Sequence, residues 1–430
     1  MKSNNSEYIE LLRKNNLSPD YYDIWAYPKF SEKITENYGW KIHISAISTN
    51  AIHIAKHFLD LNRKYNFDFK IISTLEYLDQ MNNGYFGNSQ VGKFITIYPP
   101  QKDVAAILEL LHYEFHNEVG IAVGSDISYK LNSNVYYRYG TISKDILHID
   151  KRDKQLHPPL NSEFILDYQI KRLHQLPKKY LIIKPLRQIG PTGTFIGLDI
   201  EKKQKVIIRY STKLYNLSLN MVDGNDRLFN EYCLLQKKEI KTNSFFETVL
   251  DIFYMDNSVF LVTKFYDGYT LDQLTVAKVL DTYSLDTKIK IFTEITTALS
   301  TLHKNNIIFQ DLSFDNVMIS NSKIKLIDFE YALSITPPIS YCGKEVTLAG
   351  TYGFMNLEDK HPNKDTDLFC LKQCFIYLMY PELYRTTVKK IQPKMNLQEI
   401  KKLLIPSYNK LLPTNLNKIY QKILHKYFLS

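Results

Sequence analysis

Ile308-Phe-Gln-Asp-Leu-Ser-Phe-Asp-Asn-Val-Met-Ile319, followed shortly by Lys325-Leu-Ile-Asp-Phe-Glu330, decides how the second half of this chain reads. An aspartate, an asparagine five residues on, and a second aspartate opening Asp-Phe-Glu form the set that phosphoryl transfer from a nucleotide needs. Asp311 is suited to accept the proton of a substrate hydroxyl. Asn316 and Asp328 are suited to hold the magnesium ions that neutralise a triphosphate. Apolar residues are interleaved with them (Val317, Met318, Ile319; Ile324, Leu326, Ile327). That pattern predicts two short strands presenting metal ligands at a cleft.

The remaining parts of a kinase-like set lie around this stretch in order. Tyr180-Leu-Ile-Ile183, a segment punctuated by Gly190, Gly193 and Gly197, and Val206-Ile-Ile208 predict three strands of a small lobe. The whole chain has 15 glycines, so three within eight positions point to a backbone that approaches something closely. Their spacing is not G-x-G-x-x-G, and ordinary turn glycines account for them as well. Gly190 and Gly193 are the candidates for covering a nucleotide. Arg209 stands where a kinase carries the lysine of the α- and β-phosphates, with a planar fork in place of a compact ammonium. Glu231, on a helix with Leu228, Tyr232 and Leu235, is its candidate partner. Phe260 to Gly268 reads as a strand running into a hinge, and Ile289 to His303 as a helix leading into the catalytic loop. Ala349-Gly-Thr-Tyr-Gly-Phe354, Glu358 and Asp367 match the end of an activation segment and the aspartate that anchors the loop. Phe309 and Gln310 replace the usual His and Arg, and Asp-Phe-Glu replaces Asp-Phe-Gly.

The chain has 430 residues, 44% hydrophobic and 23% charged, which suits two domains with proper cores and excludes a disordered chain. A net charge of +9 (54 basic against 45 acidic) is modest, and solvated surface accounts for it as well as an acidic partner does. Nothing calls for nucleic acid. The N-terminus lacks a signal-peptide core and no run reaches membrane-spanning length, so a cytoplasmic protein without membrane contact is expected. Cys233, Cys342, Cys370 and Cys374 are expected as reduced thiols, since no histidine pair completes a zinc site. The polar, basic stretch 151–178, with a helix around 162–175, reads as the connection between domains 1–150 and 179–430. The second domain divides into an N-lobe of about 179–268 and a C-lobe of about 269–430.

In the first domain Trp40-Lys-Ile-His-Ile-Ser-Ala46 alternates strictly. Trp40, Ile42, Ile44 and Ala46 face one way; Lys41, His43 and Ser45 face the other, which reads as the wet face. Thr49 or Asn50 caps a helix to about Tyr65. Asp68 to Ile72 is a strand carrying Lys70, and Lys93 opens another strand that runs to Pro99. A helix spans about 102–117. Gly124-Ser-Asp126 and Val135-Tyr-Tyr-Arg-Tyr-Gly140 close the domain with Arg138 among aromatics. Each lysine alone reads as a surface charge. Together, four cations and a histidine tied to strand starts and ends suggest a phosphate site.

Lys41-x-His43 on a strand, followed by Lys70, Lys93 and Arg138, resembles the bacterial phosphothreonine and phosphoserine lyases. The wording Gly39-Trp-Lys-Ile-His-Ile-Ser-Ala46, Gly92-Lys-Phe-Ile-Thr-Ile-Tyr-Pro99 and Val135-Tyr-Tyr-Arg-Tyr-Gly140 is closer to the lyase domain of class III lanthipeptide synthetases. Their kinase domain carries a loop like Asp311-Leu-Ser-x-x-Asn316 and Asp-Phe-Glu as well. The resemblance covers nearly the whole chain and stops short of the family's third, cyclase domain; the chain ends within what reads as the kinase C-lobe.

The resemblance implies an α+β protein: a phosphothreonine-lyase-like mixed α/β domain followed by a bilobal kinase-like domain. The kinase domain would phosphorylate Ser or Thr of a precursor peptide, using ATP or GTP and Mg2+. The lyase domain would then eliminate phosphate to leave dehydroalanine or dehydrobutyrine. It implies Lys70 as base, His43 as acid, and Lys41, Lys93 and Arg138 as phosphate ligands, with a separate cyclase acting in trans as an open partner. The alternatives are a degraded pseudokinase–lyase serving as a peptide-binding module and a simple Ser/Thr kinase.

Overall fold

The computed structural model describes residues 2–19, 24–28, 38–130, 133–142, 176–189, 192–217, 222–255, 257–335, 348–359, 361–392 and 395–429. Gly190, Cys342 and the connection 151–175 with its expected helix lie outside the described residues. The chain divides into two compact units. One comprises Met1–Lys202, Arg209–Asn216 and Met255–Ser258; the other comprises Lys203–Ile208, Leu217–Tyr254 and Val259–Ser430.

The first unit is organised by an antiparallel seven-stranded sheet. Its strands are β1 (Ser18–Pro19), β2 (Trp25–Tyr27), β3 (Tyr38–Ile44), β4 (Asp68–Ile72), β5 (Ile95–Tyr98), β6 (Ile127–Ser128) and β7 (Val135–Thr141). They run in the order β1-β2-β4-β5-β3-β7-β6, which makes β3 a central strand. The alternation read from Trp40 to Ala46 is real, with Trp40, Ile42 and Ile44 on the apolar face. They join one core with residues of α1 (Lys2–Lys14), α2 (Ala51–Tyr65), α3 (Leu75–Asn82) and α4 (Val104–Phe115). Asn50 stands at the N-cap of α2 but gives it no side-chain hydrogen bond; its Oδ1 accepts from Ile47 N instead.

The face expected to be wet is not. Lys41, His43 and Ser45 are 9%, 1% and 0% exposed. The reason lies in the segments on either side of β6. Ser45 Oγ donates to Ile121 O at 2.8 Å, and Asn134 Nδ2 donates to Ser45 O at 2.6 Å. Gly92, at φ +79°, passes so close that a Cβ there would stand 2.8 Å from Ile121 O. These segments are thus pressed onto the polar side of β3.

Further on, β8 (Tyr180–Ile189), β9 (Thr192–Asp199), β10 (Gln204–Thr212), β11 (Val249–Met255) and β12 (Ser258–Lys264) form a sheet ordered β11-β12-β10-β9-β8. Its three leading strands are those the sequence predicts. In the second unit, α5 (Gly224–Leu235) and α6 (Lys238–Lys241) precede β11. After β12 come β13 (Tyr269–Thr270), α7 (Leu271–Val276) and the long α8 (Leu285–Lys304). Capping boxes open α5 (Asp223 with Asp226) and α7 (Thr270 with Gln273). Short strands β14 (Ile307–Ile308), β15 (Val317–Ser320), β16 (Lys323–Leu326) and β17 (Leu333–Ser334) follow. Then come α9 (Lys364–Met379), α10 (Pro381–Thr386), α11 (Leu397–Tyr408) and α12 (Thr414–Leu424). Phe292, Ile295 and Leu299 of α8 and Leu371, Phe375 and Leu378 of α9 share one apolar core with Leu312, Phe314 and Val317. The loop at Asp311 therefore rests on packed helices.

Candidate active sites

The second unit brings its predicted ligands together through a hairpin. β15 and β16 pair from Val317↔Leu326 to Ser320↔Lys323. Asn321 and Ser322 turn the tip, both at positive φ, as a two-residue hairpin turn requires. Asn316 precedes the first strand and Asp328 follows the second, and Ile327 N donates to Asn316 O at 3.0 Å. Local pairing alone puts the two expected metal ligands side by side.

Asp311 is fixed from several directions. Its Oδ1 accepts from Thr351 N at 2.8 Å and Thr351 Oγ1 at 2.7 Å; its Oδ2 accepts from Asn316 Nδ2 at 3.0 Å. Burial pushes its carboxyl pKa up and the charge of Asp328 adds to that, against the hydrogen bonds from Thr351 and Asn316. Asn316 Nδ2 also donates to Asp311 O at 2.9 Å, so the amide nitrogen is committed and its oxygen remains the donor atom for a cation. Oxygen donors from Asn316 and Asp328 beside the acidic Asp311 are the chemistry Mg2+ takes, so the residues fit the expected ion.

Asp367 anchors the loop as predicted. Its carboxylate accepts from Phe309 N (2.9 Å), Gln310 N (2.7 Å) and His303 Nε2 (2.8 Å). Gln310 sits at φ +63°, a conformation that costs a non-glycine residue on the order of 1–3 kcal/mol. Its side chain ties two segments, donating from Nε2 to Tyr331 O at 2.7 Å and accepting Ala349 N at 3.3 Å. Buried thiols of Cys370 and Cys374 meet the carbonyls of Gln310 and Leu312 at 3.5 and 3.6 Å, and burial pushes both thiols up. Among the described residues, Cys233, Cys370 and Cys374 form no disulfide. Glu231, fully buried on α5, accepts Phe329 N at 3.2 Å. Glu358, by contrast, is an exposed partner of Lys401 at 2.6 Å.

Arg209 lies on β10 and is half-buried. Gly193 lies within β9, opposite Gln188, rather than in a loop. A Cβ there would stand 2.7 Å from the Tyr210 ring and 2.9 Å from Phe195, so its close approach is to aromatic side chains.

In the first unit the register assembles a second site. Across the sheet Lys70 pairs with Thr96, Thr96 with His43, and His43 with Tyr136. Directly paired residues point to one face, so these four form a row, with Lys70 and His43 two strands, about 10 Å, apart. Lys41 pairs with Arg138 one step along the same face. Lys70 Nζ lies 4.1 Å from the centre of the Trp25 ring and Lys41 Nζ 5.9 Å from that of Tyr98. Among the described residues the buried Thr96 hydroxyl has no hydrogen-bond partner.

Sequence reasoning passed over the group that organises this site. The Asp126 carboxylate is fully buried, with Oδ2 2.5 Å from His43 Nδ1 and Oδ1 3.3 Å from Lys93 Nζ and 3.9 Å from Arg138 Nε. Ser125 Oγ also donates to it at 2.6 Å. Burial alone would raise this carboxyl, but Lys93, His43 and Arg138 outweigh it and hold it well below the usual carboxylate range. Burial pushes His43 down from 6.5 to about 3; Lys93 and Arg138 push the same way, and Asp126 opposes them. His43 is therefore neutral at pH 7, with Nδ1 beside the Asp126 carboxylate. Tyr136 is pushed up to about 12 by burial and by the Asp126 charge.

The His43 shift predicts acid lability. Below pH 6.5 the unfolded chain binds a proton at this histidine that the folded chain does not bind until about pH 3. Stability linked to His43 is thus complete above 6.5 and falls by about 1.4 kcal/mol per pH unit as acid is added. Asp126 contributes to the slope only below its ordinary 3.8. Between pH 6.5 and 4, wild type should lose stability relative to His43→Asn at that slope. The two tryptophans, Trp25 and Trp40, both lie in this unit, so denaturant unfolding followed by their fluorescence reads it. Parallel pH profiles for the two proteins would refute the assignment.

The loop, hairpin and anchor define a protein-kinase site, and comparison places the chain accordingly: residues 193–427, more than half of it, match the protein kinase domain, and the chain belongs to that family. Residues 13–164 match the RamC N-terminal domain. The chain is similar to the "Probable SapB synthase" of Streptomyces coelicolor, 23% identical over 338 residues, covering 68% of this chain and 35% of that protein. It is 24% identical over 211 residues to serine/threonine-protein kinase PAK 1 of Mus musculus, covering 48% of this chain and 36% of that one. Serine/threonine-protein kinase D of Synechocystis sp. is 26% identical over 219 residues, covering 49% and 42% respectively. The chain thus spans about a third of the length of the first two relatives. The α+β expectation, a mixed α/β domain ahead of a kinase-like fold, holds. No helix among the described residues is long and apolar enough to cross a membrane.

Proposed function

We propose that this chain is a bifunctional peptide dehydratase of the class III lanthipeptide-synthetase type. Its lyase domain would occupy 1–150, its connection 151–178 and its kinase domain 179–430. The kinase site phosphorylates Ser or Thr of a precursor peptide; the lyase site removes the phosphate by β-elimination, giving dehydroalanine or dehydrobutyrine. The observation that carries this reading is the sheet face that bears Lys70, Lys41, His43 and Arg138, with His43, Lys93 and Arg138 gathered around the buried Asp126, in a chain that also has Asp311, Asn316 and Asp328 at a hairpin mouth.

In the first reaction Asp311 accepts the proton of the attacking hydroxyl, and Thr351 holds that carboxylate toward it. Asn316 and Asp328 would hold Mg2+, which neutralises charge on the triphosphate when bound. Arg209, with Glu231 as its proposed partner, would contact the phosphates, and Gly190 and Gly193 remain the proposed nucleotide-covering glycines. ATP is the proposed donor, in keeping with the kinase family, and GTP competition tests that choice. ATP use supports a cytoplasmic setting.

In the second reaction Lys70 takes the α-proton, the Cβ–O bond breaks as the double bond forms, and His43 delivers a proton to the departing phosphate. Lys41, Lys93 and Arg138 bind that phosphate, and the Thr96 hydroxyl between base and acid is a further partner for the substrate. His43, neutral in the resting site, must gain its proton as the phosphate dianion arrives, since added negative charge favours imidazolium. A separate cyclase would act on the product in trans.

Mass spectrometry tests the reading on the precursor peptide encoded beside this gene, incubated with the chain, ATP and Mg2+. Loss of water is expected. Gain of phosphate without subsequent loss would confine activity to the kinase half. A peptide unchanged while the chain fails to bind Mg·ATP would support the pseudokinase alternative.

A further inference from the structure

Asp328, the expected metal ligand, sits at φ +63°. A non-glycine residue keeps such a backbone only when its surroundings fix it. Two buried carboxylates do so at consecutive amides. Glu231 accepts Phe329 N, and Glu247, 7% exposed, accepts Asp328 N at 2.7 Å. The segment carrying Glu247 is itself locked beside β16. Leu326 N donates to Phe245 O at 2.8 Å, and Glu247 N donates to Leu326 O at 3.2 Å. Phe246 forms a parallel bridge with Leu326, and Lys325 Nζ donates to Ser244 O at 2.7 Å and Phe246 O at 3.3 Å. Phe329 packs between Phe246 and Phe309, with ring centroids 5.8 and 4.9 Å away. The segment therefore ends with its carboxylate under the amide that sets the direction of the Asp328 side chain.

We infer that Glu247 is a positioning residue for magnesium: by accepting the Asp328 amide it holds that carboxylate in its metal-binding orientation. The inference rests on the kinase reading of this site. It assigns Glu247 an acceptor role rather than a charge role, so an amide oxygen should serve as well as a carboxylate. A partner that orients a metal ligand in this way affects metal affinity by about 10- to 100-fold when removed.

The test uses the full chain and a fluorescent ATP analogue titrated with Mg2+, together with hydrogen exchange at the Asp328 amide. Glu247→Ala is expected to raise the Mg2+ concentration for half-maximal binding by about tenfold or more, leave metal-free analogue binding unchanged and speed exchange at Asp328. Glu247→Gln, which keeps an acceptor oxygen, is expected to behave as wild type. Glu247→Asp, which withdraws the acceptor by one carbon, is expected to fall between them and serves if the alanine variant does not fold. An alanine or aspartate variant with wild-type Mg2+ dependence, or a glutamine variant as impaired as alanine, overturns the inference. Wild-type chain that binds the analogue with no Mg2+ dependence overturns the kinase reading itself.

Discussion

Replacing Asp311 by Asn is expected to stop peptide phosphorylation while leaving elimination from a pre-phosphorylated peptide untouched. The substitution is nearly isosteric: the new side-chain oxygen can still accept from Thr351, and only the hydrogen bond from Asn316 Nδ2 is lost, because the new amide nitrogen faces it. Asn316 and Asp328 remain, so nucleotide and magnesium should still bind. What disappears is the proton acceptor, a loss of about 100- to 10,000-fold in turnover. The measurement is a pair of assays on one preparation, phosphate gain on an unmodified peptide and phosphate loss on a phosphopeptide. Retained phosphorylation by Asp311→Asn would remove Asp311 from the role of base.

The converse pattern is expected at the proposed lyase site. Lys70→Ala and His43→Ala should each phosphorylate peptide normally and lower elimination by about 100- to 10,000-fold, so that phosphopeptide accumulates. The two variants separate in deuterium oxide. A site that keeps its base but lacks its acid can still exchange the α-hydrogen of unreacted phosphopeptide. His43→Ala should therefore incorporate deuterium and Lys70→Ala should not. The reverse outcome would make His43 the base. The resting geometry gives that outcome physical sense: a neutral imidazole sits against Asp126, and an ammonium over the Trp25 ring is stabilised. Dehydrated product from Lys70→Ala at the wild-type rate would remove the lysine from the mechanism.

What could be read from the sequence follows the range of the interactions. Asn316 and Asp328 are joined by a hairpin with a two-residue tip, so spacing and apolar alternation were enough to place them together. Asp367 was legible because the loop it anchors and the helix it starts both carry strong local patterns. The face shared by Lys41 and His43 followed from alternation alone, but its burial did not. That depends on β3 lying between β5 and β7, and on a distant loop closing over it. Asp126 stood in view within Gly124-Ser-Asp126, where a loop aspartate has many ordinary uses. Only the fold brings it against His43 and Lys93. Glu247 is harder still, lying 81 residues from the amide it holds and in no recognisable motif. Gln310 looked like a lost arginine; in place it is a neutral clamp between Tyr331 and Ala349, satisfied by main-chain groups.

The proposed function stands on elimination of phosphate at the cationic face of the first unit. The most direct measurement incubates the full chain, without nucleotide, with a library of phosphoserine and phosphothreonine peptides, adds a thiol, and identifies products by mass spectrometry. The account predicts loss of phosphoric acid from the reactive peptides and thiol adducts at the former phosphorylated positions. Recovery of serine or threonine with free phosphate would mean hydrolysis, and a library left wholly intact would mean no lyase; either result contradicts the account.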